Sequence, residues 1–182
     1  MKLKIDRRII KSQKAIQSTF IEMLITDGFD EITVKNITEK ANIGRKTFYL
    51  HYLDKYNLLD KIVDDHLDQL KEICYEKQNK GYIEGTVIWF EYFKEHKPFF
   101  AALFRSNSTL SFQKKLLTFI MGEIEKKLNT NTSVNKNIDK HIVLKFLGTA
   151  VMGILESYVL DEIDSDVAFV ATQVGELMRR NI

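Results

Sequence analysis

Six polar side chains fall within eleven residues: Arg45, Lys46, Thr47, Tyr49, His51 and Lys55. Arginine and lysine donate to guanine O6 and N7 from the major groove, and a threonine hydroxyl meets either a base edge or a phosphate. Tyrosine, histidine and lysine tips suit phosphate oxygens, contacts that fix register without reading sequence. The chemistry on offer is recognition of double-stranded DNA, with Arg45, Lys46 and Thr47 toward bases and Tyr49, His51 and Lys55 toward phosphates.

Other constellations are weaker. Asp64-Asp65-His66-x-Asp68 puts only Asp64 and Asp68 on one helical face and reads as a solvated face rather than a metal site. Asp161-Glu162-x-Asp164-x-Asp166 lacks the glycine and distal glutamate of a calcium loop, and Ser165 or Asp164 as a helix cap accounts for it better. His96 and His141 stand alone. The chain has no phosphate-binding glycine loop, no His-Glu-x-x-His and no Gly-x-Ser-x-Gly. No metal, no cofactor and no enzymatic activity are expected.

Those six side chains need rigid elements to hold them. Gly and Pro together number 9 of 182 residues, about 5%, against roughly 12% in average usage. Helical periodicity recurs along the chain, so the expected fold is all-α with about nine helices and no strand. A first helix runs from an Asp6 cap to about Asp27 and ends at Gly28. Thr33 caps a short helix, Val34 to Lys40, and a turn at Ala41-Asn42-Ile43-Gly44 leads to a third, Arg45 to about His51. That is a helix-turn-helix, whose second helix enters the major groove. Asp54 caps a long fourth helix that Gly81 ends, and further helices follow at Gly85–His96, after Pro98, from Ser111 to about Leu128, Ile142–Leu160 and from Val167.

The net charge of +2 conceals an uneven distribution. Residues 1–61 carry 12 Lys/Arg against 8 Asp/Glu, and residues 62–182 carry 15 against 17, so a +4 segment precedes a −2 segment. The single Cys74 forms no intrachain disulfide and suits a buried small hydrophobe. The longest uncharged apolar run, Phe146–Leu155, is ten residues, half of a bilayer span, and no signal-peptide pattern follows the basic start. The expected location is the cytoplasm.

The stretch Ile32-Thr33-Val34, then Ala41-Asn42-Ile43-Gly44-Arg45-Lys46-Thr47-Phe48-Tyr49-Leu50-His51-Tyr52, then Asp54-Lys55 and Leu58-Leu59, resembles the N-terminal signature of the tetracycline-repressor (TetR) family over roughly residues 10–70. The resemblance implies a dimeric one-component transcriptional regulator, usually a repressor released from DNA by a small ligand. It implies DNA-contact roles for Thr33, Tyr49, His51 and Lys55 on phosphates and for Arg45, Lys46 and Thr47 on bases. Two positions depart from the pattern. Asn42 replaces the usual turn glycine, and Lys46 stands where a small residue is common. The chain thus reads as a three-helix DNA-binding domain over 10–70, with the motif at about 33–52, and a regulatory and dimerisation bundle over 71–182.

In the second half, residues 82–104 hold eight aromatics out of the chain's twenty. They either fill an ordinary core or wall an apolar cavity, whose lining would include Trp89, Phe93, Phe100, Phe104, Phe119 and Met152 and whose ligand would be apolar or aromatic. The Ile142–Leu160 helix and the last helix are the expected homodimer interface, through Gly148, Val151, Leu155, Val170, Val174 and Leu177, unless the former is simply subunit core. Phe146-Leu147-Gly148 with Gly153-Ile154-Leu155-Glu156-Ser157-Tyr158 looks like the subgroup of the family that includes dihydroxyacetone-kinase operon regulators, which often has Trp where Tyr158 stands. The leading expectation is a dimeric repressor released from a palindromic operator by a small ligand. The alternatives are a regulator or activator controlled by a protein partner, and a nonspecific architectural DNA-binding protein.

Overall fold

A computed structural model describes residues 7–76, 80–128 and 134–182. Among these residues the chain forms nine α-helices: α1 (Arg7–Thr26), α2 (Val34–Lys40), α3 (Arg45–Tyr49), α4 (Lys55–Glu76), α5 (Tyr82–Glu95), α6 (Lys97–Arg105), α7 (Leu110–Glu125), α8 (Lys140–Val159) and α9 (Val167–Asn181). A single 3-10 turn, Asn107–Thr109, sits between α6 and α7, and no strand occurs among the described residues. The expected Asp6 cap, residues 77–79 ahead of Gly81 and residues 129–133 lie outside the described residues.

Local chemistry sets most helix ends. The Thr33 hydroxyl accepts the Asn36 N–H at 3.2 Å, while the Asn36 side-chain oxygen accepts the Thr33 N–H at 2.7 Å, a reciprocal cap that starts α2. Asn42 adopts φ +53, the left-handed turn conformation that a non-glycine residue enters most readily when it is asparagine. The third helix is shorter than its expected run to His51: the His51 N–H closes a tighter turn onto the Phe48 carbonyl, at 2.9 Å, as Phe48 and Tyr52 enter the core. Asp54 caps α4 by accepting the Asn57 N–H at 2.7 Å. For α9 the cap is Asp166, which accepts the Ala168 N–H at 3.0 Å, rather than Ser165 or Asp164. The fifth helix starts at Tyr82, three residues before the expected Gly85, because Gly81 takes the extended capping conformation.

Packing falls into two connected parts. Ile16, Phe20, Met23 and Leu24 of α1 close over Phe29, Ile32, Ile37, Phe48 and Tyr52, all within 3% of full burial. On α4, Leu58, Leu59, Ile62, Val63, Leu67 and Leu70 are buried as one stripe along the helix. In the larger part, α5 lies antiparallel along α9 and α7 antiparallel along α8. Gly175 permits the first pairing: a β-carbon there would lie 2.7 Å from the Ile83 Cα, a backbone atom that cannot swing aside. By length and composition α8 could cross a membrane, but it packs on α7, and half of its most apolar window is buried inside the fold.

His66 of α4 does not sit on a solvated face as expected. Its ring stacks on Phe99 at 4.6 Å and meets Tyr92, His96 and Phe100 edge-on. The Tyr92 hydroxyl donates to the Gln69 side chain at 3.1 Å, so His66 Nδ1–H donates to Tyr92 at 2.6 Å. Burial, and then the neighbouring His96, push the His66 imidazole down to about 4. His96, read as isolated, belongs to this cluster, while Asp64 and Asp60 both pair with Lys115 of α7, at 2.8 and 3.2 Å.

The folded state holds His66 neutral below its ordinary value, so the unfolded chain binds more protons between about pH 6.5 and 4. Stability is therefore full above pH 6.5 and falls as pH drops through that window, and thermal melts across pH 4–8 should show this slope flattened in His66→Leu. Gly175→Ala should cost about 1–3 kcal/mol by overpacking and lower the melting temperature by roughly 2–10 °C. Gly148→Ala should cost less, because its nearest neighbour is the flexible Met121 side chain.

Candidate functional site

The recognition segment is anchored by what it buries. Phe48 is fully buried beneath α3 and Tyr52 is 2% exposed, so the intervening and preceding side chains face out. Arg45, Lys46 and Tyr49 are exposed and make no hydrogen bond or ion pair among the described residues. Thr47 is half-buried beside them. These four share the first turns of one helix, as an element entering a major groove requires. Leu50 and Leu53, next along the chain, are also exposed, at 74% and 78%, apolar groups that a reading of polar contacts alone misses.

The other three expected DNA contacts have structural work in the free protein. Thr33 holds the reciprocal cap of α2. Ser12 gives its hydroxyl proton to the Ile9 carbonyl, so His51 Nε2–H donates to Ser12 at 2.9 Å and ties the end of α3 to α1. Lys55 departs furthest from expectation. Its ammonium donates to the Phe29 and Asp30 carbonyls, at 3.0 and 3.2 Å, and lies 4.6 Å from the Phe29 ring centre. That geometry turns it inward, where it ties α4 to the turn after α1. The same Asp30 accepts Ser108 and Ser106 hydroxyls at 2.5 and 3.4 Å, joining the reader to the 3-10 turn of the larger bundle.

A cleft of about 390 Å³ opens between the C-terminal turns of α4 and α7 and the faces of α5, α8 and α9. Of the six residues expected to wall a cavity, only Trp89 and Phe119 line it. Phe93, Phe100 and Phe104 instead pack into a continuous ring cluster, with Phe93–Phe100 at 4.5 Å, Phe100–Phe112 at 5.9 Å and Phe104–Phe112 at 5.2 Å. Met152 is half-buried elsewhere. The core reading of the aromatic segment thus accounts for most of it. Cys74 lies on the cleft wall, and burial, followed by Glu123, pushes its thiol up to about 11, so it stays protonated at neutral pH.

The expected dimer residues also need correction. Gly148 faces Met121 of α7, and Leu155, Val170 and Val174 are buried within the subunit, because these helices turn their most apolar stripe onto α7 and α5. Val151 lines the cleft, and only Leu177 is exposed. Besides Leu177, the outward stripes carry residues not in the expected set: Ile142, Phe146, Ala150 and Gly153 on α8, and Phe169 and Gln173 on α9. Phe146 is 70% exposed and Phe169 59%, both large for a surface facing water.

Comparison with known proteins covers both parts. The family described as bacterial regulatory proteins, tetR family, matches residues 20–62, and the family described as transcriptional regulator C-terminal region matches residues 82–180. An uncharacterized helix-turn-helix transcriptional regulator of Bacillus subtilis, YxbF, is 40% identical over 60 residues, which are 32% of this chain and 16% of that relative's length. DhaS of Lactococcus lactis, a helix-turn-helix transcriptional activator of the dhaKLM operon, is 21% identical over 159 residues, 85% of this chain and 82% of that one. A TetR transcriptional regulator structure from Streptococcus agalactiae shares the fold with a TM-score of 0.75 at 21% identity, covering 95% of this chain and 96% of that one.

The left-handed turn at Asn42 generates a direct check. Asn42→Val should destabilise the reader by about 1–2 kcal/mol, the cost of a bulky residue in that conformation, whereas Asn42→Gly should leave it unchanged or slightly better. Chemical denaturation of both variants measures this.

Proposed function

The chain belongs to the tetR family of bacterial regulatory proteins and is a transcriptional regulator; from that premise we propose a homodimeric repressor whose hold on a palindromic operator is released when a small molecule occupies the α4–α9 cleft. The observation that carries this reading is the course of α4. Its first half is tied to the recognition segment by Lys61, whose ammonium donates to the His51 carbonyl at 2.9 Å and lies 5.0 Å from the Tyr52 ring centre, and its last turns supply Ile73, Cys74 and Tyr75 to the cleft. A helix of 22 residues spans about 33 Å at 1.5 Å per residue. Displacing one end therefore displaces the other.

The two domains are the reader over 10–70 and the sensing and dimerisation bundle over 71–182, in a protein that works in the cytoplasm and has no enzymatic role. The dimer forms through the exposed stripes of α8 and α9, burying Ile142, Phe146, Phe169 and Leu177 against the same residues of a second copy. Two recognition helices then reach half-sites about one DNA turn, roughly 34–36 Å, apart. Arg45, Lys46 and Thr47 read bases, Tyr49 meets phosphate, and His51, Thr33 and Lys55 act chiefly by fixing the segment that presents them. A ligand that prefers the conformation with displaced α4 shifts the population off DNA by no more than its differential affinity for the two states. The relative DhaS is named as an activator, so activation is the second reading.

Titration of the protein against its own upstream region, at several salt concentrations, tests the reading. Sequence-preferring, salt-sensitive binding is the expected result, and a specificity ratio near one contradicts it. Arg45→Ala and Lys46→Ala should change sequence preference, by about 1–3 kcal/mol where a bidentate base contact is lost, while Tyr49→Phe should weaken all sequences alike. Phe146→Glu should give a folded monomer by ultracentrifugation and abolish operator binding.

A further inference from the structure

We infer that the cleft takes an anionic amphiphile, an apolar chain or ring system ending in a carboxylate, held at its head by the lysines of the α7 C-terminus. The inference rests on the ligand-controlled reading above and names the ligand class for that site. Ile73, Trp89, Phe119, Ile120, Val174 and Met178 give the cleft its apolar walls. Two of the hydrogen-bonding groups between them are already engaged or weak, while the Tyr75 and Tyr82 hydroxyls and the Trp89 indole N–H make no side-chain hydrogen bond among the described residues. The Thr86 hydroxyl donates to the Tyr82 carbonyl at 2.7 Å, and Cys74 presents a protonated thiol. The body of a ligand there meets mostly apolar side chains, with polar atoms confined to a few hydroxyl and N–H tips.

The charged residues on the cleft are of the opposite character to their surroundings. Residues 62–182 sum to −2, yet the cleft is lined by Lys71, Lys126 and Lys127 against Glu123 alone, a local +2. Two of the lysines have carboxylate partners, Lys126 with Glu123 at 2.5 Å and Lys71 with Asp68 at 2.7 Å. Lys127 has none among the described residues and lies 5.1 Å from the centre of the Tyr82 ring, itself a cleft wall. An ammonium over an aromatic face at an apolar mouth keeps its donors for an incoming anion. Glu123, already paired, offers a cationic ligand far less. The volume of about 390 Å³ falls in the range of small-molecule sites, roughly 300–1,000 Å³, and not of a macromolecular groove.

Trp89 is the chain's single tryptophan and lines the cleft, so its emission reports occupancy directly. Dodecanoate and dodecan-1-ol, titrated separately into the intact protein below micellar concentrations, differ only in the head group. The acid should bind at least about tenfold more tightly than the alcohol, a preference that weakens with salt. In Lys127→Gln the preference should shrink to about two- or threefold, while the alcohol's affinity stays as in the unmodified protein. Equal binding of acid and alcohol overturns the anionic head group but leaves an apolar-ligand regulator standing. A tighter fit for dodecyltrimethylammonium also overturns it and shifts recognition to Glu123. Silence from all three probes overturns the proposal together with the ligand reading. An unaltered preference in Lys127→Gln removes Lys127 as the anion's partner.

Discussion

Burial of one stripe of α4, from Leu58 to Leu70, is the constraint on which the rest depends. Leu58, Leu59, Ile62 and Val63 complete the small core that seats the recognition segment, and Leu67 and Leu70 continue into the larger bundle. One apolar stripe thus joins the two parts of one continuous core. Polar contacts flank it at each stage: Lys55 to the turn after α1, Asp60 and Asp64 to Lys115 of α7, and His66 to Tyr92 of α5. The exposed ion pairs contribute little stability by themselves. Their effect is positional, because each ties α4 to a different neighbour. In the proposed mechanism such a helix carries a displacement at the cleft toward the reader, which a flexible linker would absorb.

The basic charge of the reader is divided between two tasks. Arg45 and Lys46 remain free at the start of α3, while Lys55 and Lys61 turn their ammonium groups onto backbone carbonyls of Phe29, Asp30 and His51. Internal use of a lysine stiffens the platform, and external use supplies the salt-dependent attraction to phosphate. A dimer doubles the external set. In the second half, the positive rim of the cleft stands out because the chain around it is acidic. The +2 of the whole molecule records none of this.

Much of the fold is legible in the sequence because it rests on local chemistry. Thr33 with Asn36, Gly28, Asp54 and Pro98 each act within a few residues, and those helix ends lie close to where spacing puts them. The helix-turn-helix is legible for the same reason, since its anchors Phe48 and Tyr52 and its outward basic residues alternate within one short run. What stays hidden depends on partners distant in the chain. His66 reads as polar among Asp64, Asp65 and Asp68, and nothing nearby announces that Phe99 and Tyr92 enclose it. Lys55 is basic in a basic segment, and its carbonyl partners lie 25 and 26 residues away. On α8, apolar residues occur on nearly every face, so periodicity alone could not separate the inward Leu155 from the outward Phe146, whereas on α9 Phe169 and Leu177 stand out on a face that is otherwise polar or small. The cleft had a sequence signal, the Lys126-Lys127 pair following the apolar stripe of α7, that gains meaning only once α4 and α5 are set against it.

If α4 is a rigid coupling between cleft and reader, the separation of the two recognition helices in the dimer measures that coupling most directly. A spin label at the exposed Leu50, introduced as Leu50→Cys in a Cys74→Ser background, gives the inter-protomer distance by pulsed electron resonance. Bound to its operator, the dimer should show one narrow distribution compatible with half-sites roughly 34–36 Å apart. Adding a cleft ligand that releases DNA should move that distribution by several ångströms. An identical distribution with and without a ligand that releases DNA would contradict coupling through α4.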